Sequence, residues 1–441
     1  MMKLSNWGNY PVAESDLREF RSEQELERKL RDLSFWIPRG MGRCYGDSAL
    51  APEVISTRKF SRMISFDSQT GLLKCESGVS LKEIIDAFLP RGWFLPVTPG
   101  TKYVSVGGAL ASDIHGKNHH KDGAFSDHVT KIKIRLPDGL VKECSADQNA
   151  ELFHATAGGM GLTGLILEVS LILKKVSSAY IRQNLIIAKN LNEILEAFSQ
   201  SEDATYSVAW IDCLAKGKNT GRSVLMLGEH ATADDIEKNA SDPLKLAGEP
   251  SLKVPVNAPG FALNKVSVSL FNKLYYGLHK MKSIESIVHY DPYFYPLDSI
   301  LEWNRIYGKR GFLQYQFVIP VDQGEKGLRR VLDEIASHGA GSFLAVLKLF
   351  GNANKSLLGF PDRGYTLALD FPIKTGTFEL LDRLDKIVID HGGRFYLTKD
   401  ARMSKEVFQE GYPQLEKFLE IREKLDPNRV MRSLQSERLG L

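Results

Sequence analysis

A chain of 441 residues, 43% hydrophobic and 25% charged, has the means to bury a large core, and its length predicts roughly two or three domains. The formal net charge of +3 without a basic block leaves a nucleic-acid partner unsupported. The four cysteines, Cys44, Cys75, Cys144 and Cys213, have no C-x-x-C spacing, which argues against a zinc site and against a secreted disulfide framework. No apolar run reaches the roughly eighteen residues of a membrane span, and MMKLSNWGNYP lacks the apolar core of a signal peptide. The expectation is a soluble, cytoplasmic protein with free thiols, able at most to touch a membrane surface peripherally.

In chain order, residues 22–32 (SEQELERKLRD) carry helix-forming charges behind a serine suited to cap them, and FWIPRG reads as a short strand entering a turn. The turn is the first glycine loop, residues 39–47 (RGMGRCYGD). Arg39, Gly40, Met41, Gly42, Arg43, Cys44, Tyr45 and Gly46 combine three glycines that can cradle phosphates with two arginines that can bond them. Short strands follow over residues 54–78, and SLKEIIDAFLPRG has the apolar spacing of an amphipathic helix ended by Pro90 and Gly92.

The second glycine loop is residues 98–120, TPGTKYVSVGGALASDIHGKNHH. It opens on Thr98, Pro99 and Gly100. Gly107 and Gly108 then follow Val106, and without Cβ atoms they let a phosphate or a flat ring approach the backbone. A helical turn over residues 109–112, which include Ala111 and Ser112, would offer its first amides to a pyrophosphate. His115, Gly116, Lys117, Asn118, His119 and His120 would bring basic groups to the same place. Taken alone, the stretch reads equally as a glycine-rich loop followed by a solvated basic turn.

HVTKIKIRLPDGLVKECS predicts a β-hairpin around Pro137, Asp138 and Gly139. The third glycine loop, Gly158, Gly159, Gly161 and Gly164, lies between a predicted helix and an apolar strand. No strand–G-x-G-x-x-G–helix unit and no G-x-x-x-x-G-K-[ST] motif is present, which excludes the two commonest nucleotide-binding loops.

The texture changes near Lys174. SAYIRQNLIIA, TYSVAWIDC and SVLMLGEH predict strands, with LNEILEAFSQ a helix among them. Residues 232–265 read as a long surface insertion; its lysines with Leu244, Val254, Val256 and Phe261 form an alternative lipid-contacting surface. FLQYQFVIP puts Gln314 and Gln316 on one face of a strand. FLAVLKLFG places Lys348 among apolar neighbours, which is costly unless it lies at a rim or meets an anion. GYTLALDFPIK contains Ala368 and ends in Asp370 and Lys374. YDPYFYPLD reads as core packing, and Lys399 beside Asp400 reads on its own as a surface ion pair.

RGMGRCYGD, residues 98–120, GGMGLTG and the terminal LDP together resemble the FAD-binding fold of the vanillyl-alcohol oxidase and p-cresol methylhydroxylase superfamily. GGALASDIHGKNHH, EWNRIYG, FLQYQFVIP, KLFG, DFPIK and YLTKDAR resemble, more narrowly, the decaprenylphosphoryl-β-D-ribose 2-oxidase family. The resemblance implies an α+β fold with an FAD domain in two parts, residues 1–178 and 394–441, around an inserted antiparallel-sheet substrate domain, residues 179–393. It implies that residues 39–47 and 107–117 hold FAD, with Gly158, Gly161, Gly164, Tyr396 and Lys399 around it. It further implies that Gln314, Gln316, Lys348, Ala368 and Asp370 meet the substrate, and that Lys399, His115 and Tyr45 are the catalytic candidates.

The implied activity is oxidation of the 2-hydroxyl of a polyprenyl-phosphoryl-β-D-ribose, followed by an NAD(P)H-dependent short-chain reductase on the way to an arabinose donor for cell-wall arabinan. A sugar-alcohol or aldonolactone oxidase of the same fold and a flavin-holding scaffold without turnover are the competing readings. Two departures stand out. Arg43 occupies the place of the histidine that bonds FAD covalently in related oxidases, which implies non-covalent FAD. Ala368 replaces a cysteine that nitroaromatic inhibitors modify in mycobacterial members, which implies that this adduct does not form.

Overall fold

The computed structural model describes residues 1–236, 242–250, 252–259 and 263–441. Three sheets carry the fold. A four-stranded sheet is ordered Met2–Ser5, Val12–Glu19, Glu53–Ser56, Ile37–Arg39, and its last three strands are parallel. The strand Ile37–Arg39 delivers the first glycine loop from its C-terminal end. A five-stranded antiparallel sheet is ordered Met63–Phe66, Leu72–Glu76, Leu165–Ile172, Val129–Arg135, Val141–Cys144, and includes the expected hairpin.

The third sheet has eight antiparallel strands, ordered Glu285–His289, Tyr180–Ala188, Ser223–His230, Tyr206–Ile211, Ala345–Leu349, Gly364–Pro372, Phe312–Pro320, Arg394–Phe395. Its two faces follow from the period of two along each strand. Tyr315, Phe317, Leu347, Leu367 and Leu369 point to one side, where they share a core with the helices Leu191–Gln200, Val321–His338 and Thr377–Asp390. Gln314, Gln316, Lys348, Thr366 and Ala368 alternate with them and face a cavity. The register places Gln316 opposite Ala368 and Ala368 opposite Val346, so the cavity-facing positions of three strands come level.

Local chemistry explains the helix ends. Ser22 caps Glu23–Leu30 by accepting from the Glu25 amide, and Ser80 with Glu83 forms a capping box at the start of Leu81–Phe88, whose continuation closes on Gly92 at positive φ. The helical turn expected at residues 109–112 starts earlier, as Val106–Ala111, because Ser105 caps it. The helix Lys265–Lys280 did not emerge from the sequence pattern, since apolar residues occupy nearly its whole circumference. Of the expected lipid-contacting insertion, Val256 is exposed, Val254 is half-buried, Leu244 packs on the core and Phe261 lies outside the described residues. No helix among the described residues is long and apolar enough to cross a membrane.

Candidate active site

The glycine loops and the polar face of the eight-stranded sheet enclose one cavity of about 570 Å³. One wall is backbone. Among the described residues the amides of residues 40–44 make no hydrogen bond within the protein, and Tyr45 is the first of the loop whose N–H finds an acceptor, Thr398 O at 2.9 Å. Consecutive free amides form a concavity suited to phosphate oxygens. A Cβ at Gly40 would lie 2.2 Å from Ser105 Oγ and displace the cap of the helix Val106–Ala111; at Gly107 it would lie 2.7 Å from Ser77 Cβ. Ser77 Oγ and His115 Nδ1 are buried and find no partner among the described residues, and both residues line the cavity. Such orphaned groups are costly unless a ligand satisfies them.

The opposite wall is side chain. Lys348 lines it, and the described residues supply no hydrogen-bond acceptor or ion-pair partner for its ammonium; burial pulls its pKa down to about 8. His115 stands between the walls. It is held by Gln316 Nε2 at 3.0 Å from its Nε2 and packs against Phe350, Phe360 and Tyr396. Burial first, then the nearby Lys348, His119 and Lys399, push its pKa well below the usual 6.5, so the ring is neutral at pH 7. With Gln316 donating to Nε2, the unpartnered Nδ1 carries the ring proton.

Lys399 joins the walls from the loop after Arg394–Phe395. Its ammonium sits 3.9 Å from the centre of the Tyr45 ring. Burial lowers its pKa to about 7 against the opposing pull of Asp370. At neutral pH it is poised between amine and ammonium, able to take or hold a proton. Tyr45 differs: burial and the Asp370 charge raise its pKa well above 10, so it donates and does not act as a base at neutral pH.

A family described as FAD binding domain matches residues 21–145, and one described as D-arabinono-1,4-lactone oxidase matches residues 369–439. The decaprenylphosphoryl-beta-D-ribose oxidase of Mycolicibacterium smegmatis is 38% identical over 414 residues, 92% of this chain and 89% of that protein. The chain belongs to the decaprenylphosphoryl-β-D-ribose oxidase family. An uncharacterised protein of Streptomyces coelicolor is 32% identical over 82% of this chain and its own full length. L-gulonolactone oxidase 3 of Arabidopsis thaliana is 23% identical over 98% of this chain and 81% of that protein. The protein is thus an FAD-dependent oxidoreductase of the α+β vanillyl-alcohol oxidase type.

Within this decaprenylphosphoryl-ribose-oxidase-like site, most residues expected from sequence converge. Arg39, Gly40, Met41, Gly42, Arg43, Cys44, Tyr45, Thr98, Pro99, Gly100, Gly107, Gly108, Ala111, Ser112, His115, Gly116, Lys117, Gly161, Gly164, Gln314, Gln316, Lys348, Ala368, Tyr396 and Lys399 all line the cavity. Five others lie behind it. Gly46 is pressed on the backbone of Asp400, Val106 is fully buried, and Asn118 bonds Pro96 O and Asp122. Gly158 packs toward the Leu358 carbonyl at positive φ, and Asp370 accepts from Tyr307 Oη at 2.8 Å and Gln314 Nε2 at 2.7 Å.

Four chemical expectations change. The first amides of the helix Val106–Ala111 are spent on the protein, with Val106 N–H on Val79 O, Gly107 N–H on Ser77 O and Gly108 N–H on Ser105 Oγ, so they do not receive the pyrophosphate. Arg39 donates to Asn6, Ala49 O and Ser5 O, and Arg43 stacks on Trp7 at 3.8 Å; both arginines line the cavity while bracing its loop. Lys399 and Asp400 do not pair: Asp400 binds Arg438 at 2.7 Å, and Lys399 turns to the cavity. His119 and His120 are no solvated basic turn, since His119 is buried with its pKa pulled down to about 3. Sequence reasoning also missed Ser77, Trp210, Tyr293 and Asp298 on the lining, residues with no motif to announce them.

Proposed function

We propose that the protein oxidises the 2-hydroxyl of a polyprenyl-phosphoryl-β-D-ribose to the 2-keto sugar. The observation that carries this reading is the unpaired Lys348 ammonium on a wall of Gln314, Gln316 and Thr366, opposite the glycine loops. A phosphoryl sugar brings one strong anion and several hydroxyls, which that wall complements. FAD, held by residues 40–44, Gly107 and Gly116, supplies a hydride acceptor when bound. The chain's own residues do the rest. Lys399 takes the hydroxyl proton as the C2–H bond gives up its hydride, so the substrate loses two electrons and two hydrogens in all. His115 orients the sugar by its Nδ1–H, and Tyr396, which donates to Ser112 O at 2.9 Å, holds the His115 ring in place. The aromatic cluster of Phe350, Phe360 and Tyr396 keeps water from that side.

The keto product calls for reduction from the opposite face by a separate NAD(P)H-dependent short-chain reductase. FAD is held without a covalent bond: the guanidinium of Arg43 is not a nucleophile and is occupied on Trp7. Acid precipitation is expected to leave all yellow colour in the supernatant; colour remaining on the polypeptide would refute this. A second reading, an aldonolactone oxidase, is favoured by the match of residues 369–439. Anaerobic mixing with a short-chain polyprenyl-phosphoryl ribose and, separately, with an aldonolactone decides between them. Flavin bleaching by the phosphoryl ribose alone is the expected result, and bleaching by the lactone alone would overturn it.

A further inference from the structure

The helix Lys265–Lys280 is unlike the others at the surface. Its inward face is anchored by Val268, Asn272 and Tyr276, with Asn272 Nδ2 on Asp212 Oδ1 at 2.7 Å and Tyr276 Oη on Ala188 O at 3.1 Å. Its outward face is also apolar. Val266, Leu270, Leu274 and Leu278 recur every four residues and are 76%, 57%, 57% and 59% exposed, with Phe271 beside them and Met281 and Ile284 extending the strip. The helix Val321–His338, of similar length, exposes only Val321 among its large apolar residues. A continuous apolar strip of this kind on an otherwise ordinary surface marks a binding face.

Charge says what covers it. Residues 263–284 contain no acid, while Lys265, Lys273, Lys280 and Lys282 are exposed around the strip. We infer that this helix is the surface by which the protein lies on an anionic lipid bilayer, with the strip in the acyl boundary and the lysines at the headgroups. A second copy of the chain fits less well, because a two-fold contact would oppose the same four lysines without acids to answer them. The helix is about 24 Å long at 1.5 Å per residue, enough to hold one face of the protein against a membrane. The cavity reaches the inner side of the same helix, lined there by Tyr275 and His279, with Lys282 at its rim just past the helix end. Docking would set that end of the cavity against the lipid, where a polyprenyl chain is anchored. That last point rests on the proposed substrate; the docking itself does not.

Flotation of the FAD-loaded full chain tests it, using vesicles of equal phosphatidylglycerol and phosphatidylcholine and vesicles of phosphatidylcholine alone. The expected result is that the protein floats with the anionic vesicles. Leu270→Glu/Leu274→Glu and, separately, Lys273→Glu/Lys280→Glu should each lower the bound fraction at least ten-fold, with flavin content and circular dichroism unchanged. These side chains are exposed, so folding is not at issue. Wild-type protein that stays unbound in both mixtures, or an apolar double variant that binds as wild type, would overturn the inference. So would a dimer that the apolar double variant splits without any vesicle binding. Vesicle binding needs no sugar, so its failure leaves the proposed oxidation standing, and failure of the sugar to bleach flavin leaves the docking standing.

Discussion

The two walls of the cavity are built on different principles. The glycine-loop wall presents amides and close backbone approaches, and its two arginines are turned to holding the loop itself. The sheet wall presents side chains from three strands whose register brings Gln316, Ala368 and Val346 level and sets Lys348 opposite Thr366. A backbone wall fits one nucleotide and tolerates little change, because no side chain can be exchanged to retune it. A side-chain wall can be rewritten one position at a time without disturbing the sheet. The cofactor and the substrate are therefore read by separable devices, and Lys399 is the residue that belongs to both.

The largest expected effect is at that junction. Lys399→Met should leave FAD bound and slow anaerobic flavin reduction by substrate on the order of a thousand-fold, within the range for loss of a positioned acid–base group. Stopped-flow absorbance measures it, and an unchanged rate would remove Lys399 from the chemistry. The pH profile sharpens the assignment. With the pKa of Lys399 near 7, the reduction rate in wild type should rise through about pH 7 as the amine is freed. A rate that falls instead would make the ammonium, not the amine, the working form.

The two walls should then fail differently. Gly107→Ala places a Cβ 2.7 Å from Ser77 Cβ and 3.1 Å from Ser77 O, so FAD affinity should drop at least ten-fold. Lys348→Met should leave FAD affinity intact and raise the KM for a phosphoryl sugar roughly ten- to a hundred-fold, the worth of one charge-assisted hydrogen bond. Flavin-fluorescence titration and steady-state kinetics on the two variants read both quantities. If Lys348→Met lost FAD, or if Gly107→Ala raised only KM, the division between the walls would be wrong.

The two walls were also unequally legible in the sequence. Glycine loops announce a backbone wall, since a requirement for missing Cβ atoms is written directly in residue type. The strand face was legible through alternation, and a lysine inside an apolar strand was itself a signal. Hydrogen-bond direction could not be read. Nothing in RGMGRCYGD says that Arg39 will donate to Ser5 O and Ala49 O, and nothing in VSVGGALA says that Ser105 will cap the helix and spend its first amides. The family resemblance implies Asp370 at the substrate, yet its two carboxylate oxygens are taken by Tyr307 and Gln314 and it does not line the cavity. The outward face of Lys265–Lys280 went unread for the opposite reason: with apolar residues on both sides, periodicity gives no single stripe to detect.

The smallest expected effect concerns the stability that the cavity's buried lysines give up. Burial lowers Lys117 and Lys399 to about 7 and Lys348 to about 8, against 10.5 in the unfolded chain. Between about pH 7 and 10 the unfolded chain therefore binds more protons than the folded one, and stability rises with pH. Below pH 7 the three lysines are charged in both states and their contribution is flat at its least favourable level. Other groups act mainly elsewhere: Asp370, raised to about 6, and His119, lowered to about 3, act chiefly below pH 7, and the four cysteine thiols, all raised by burial, oppose the lysines increasingly as the pH nears 9, where the unfolded chain's thiols ionise. In the window from pH 7 to 8.5 the three cavity lysines, each lowered from 10.5 to about 7 or 8, outweigh these groups. The FAD-free protein should gain a few degrees in Tm across it by calorimetry, and Lys348→Met should gain less. Pyrophosphate, by favouring the ammonium forms, should raise Tm more at pH 7 than at pH 8.5. A Tm that is flat from pH 7 to 8.5 and unmoved by pyrophosphate would mean that these lysines keep their charges solvated, and that the sheet wall is not the anion-reading device.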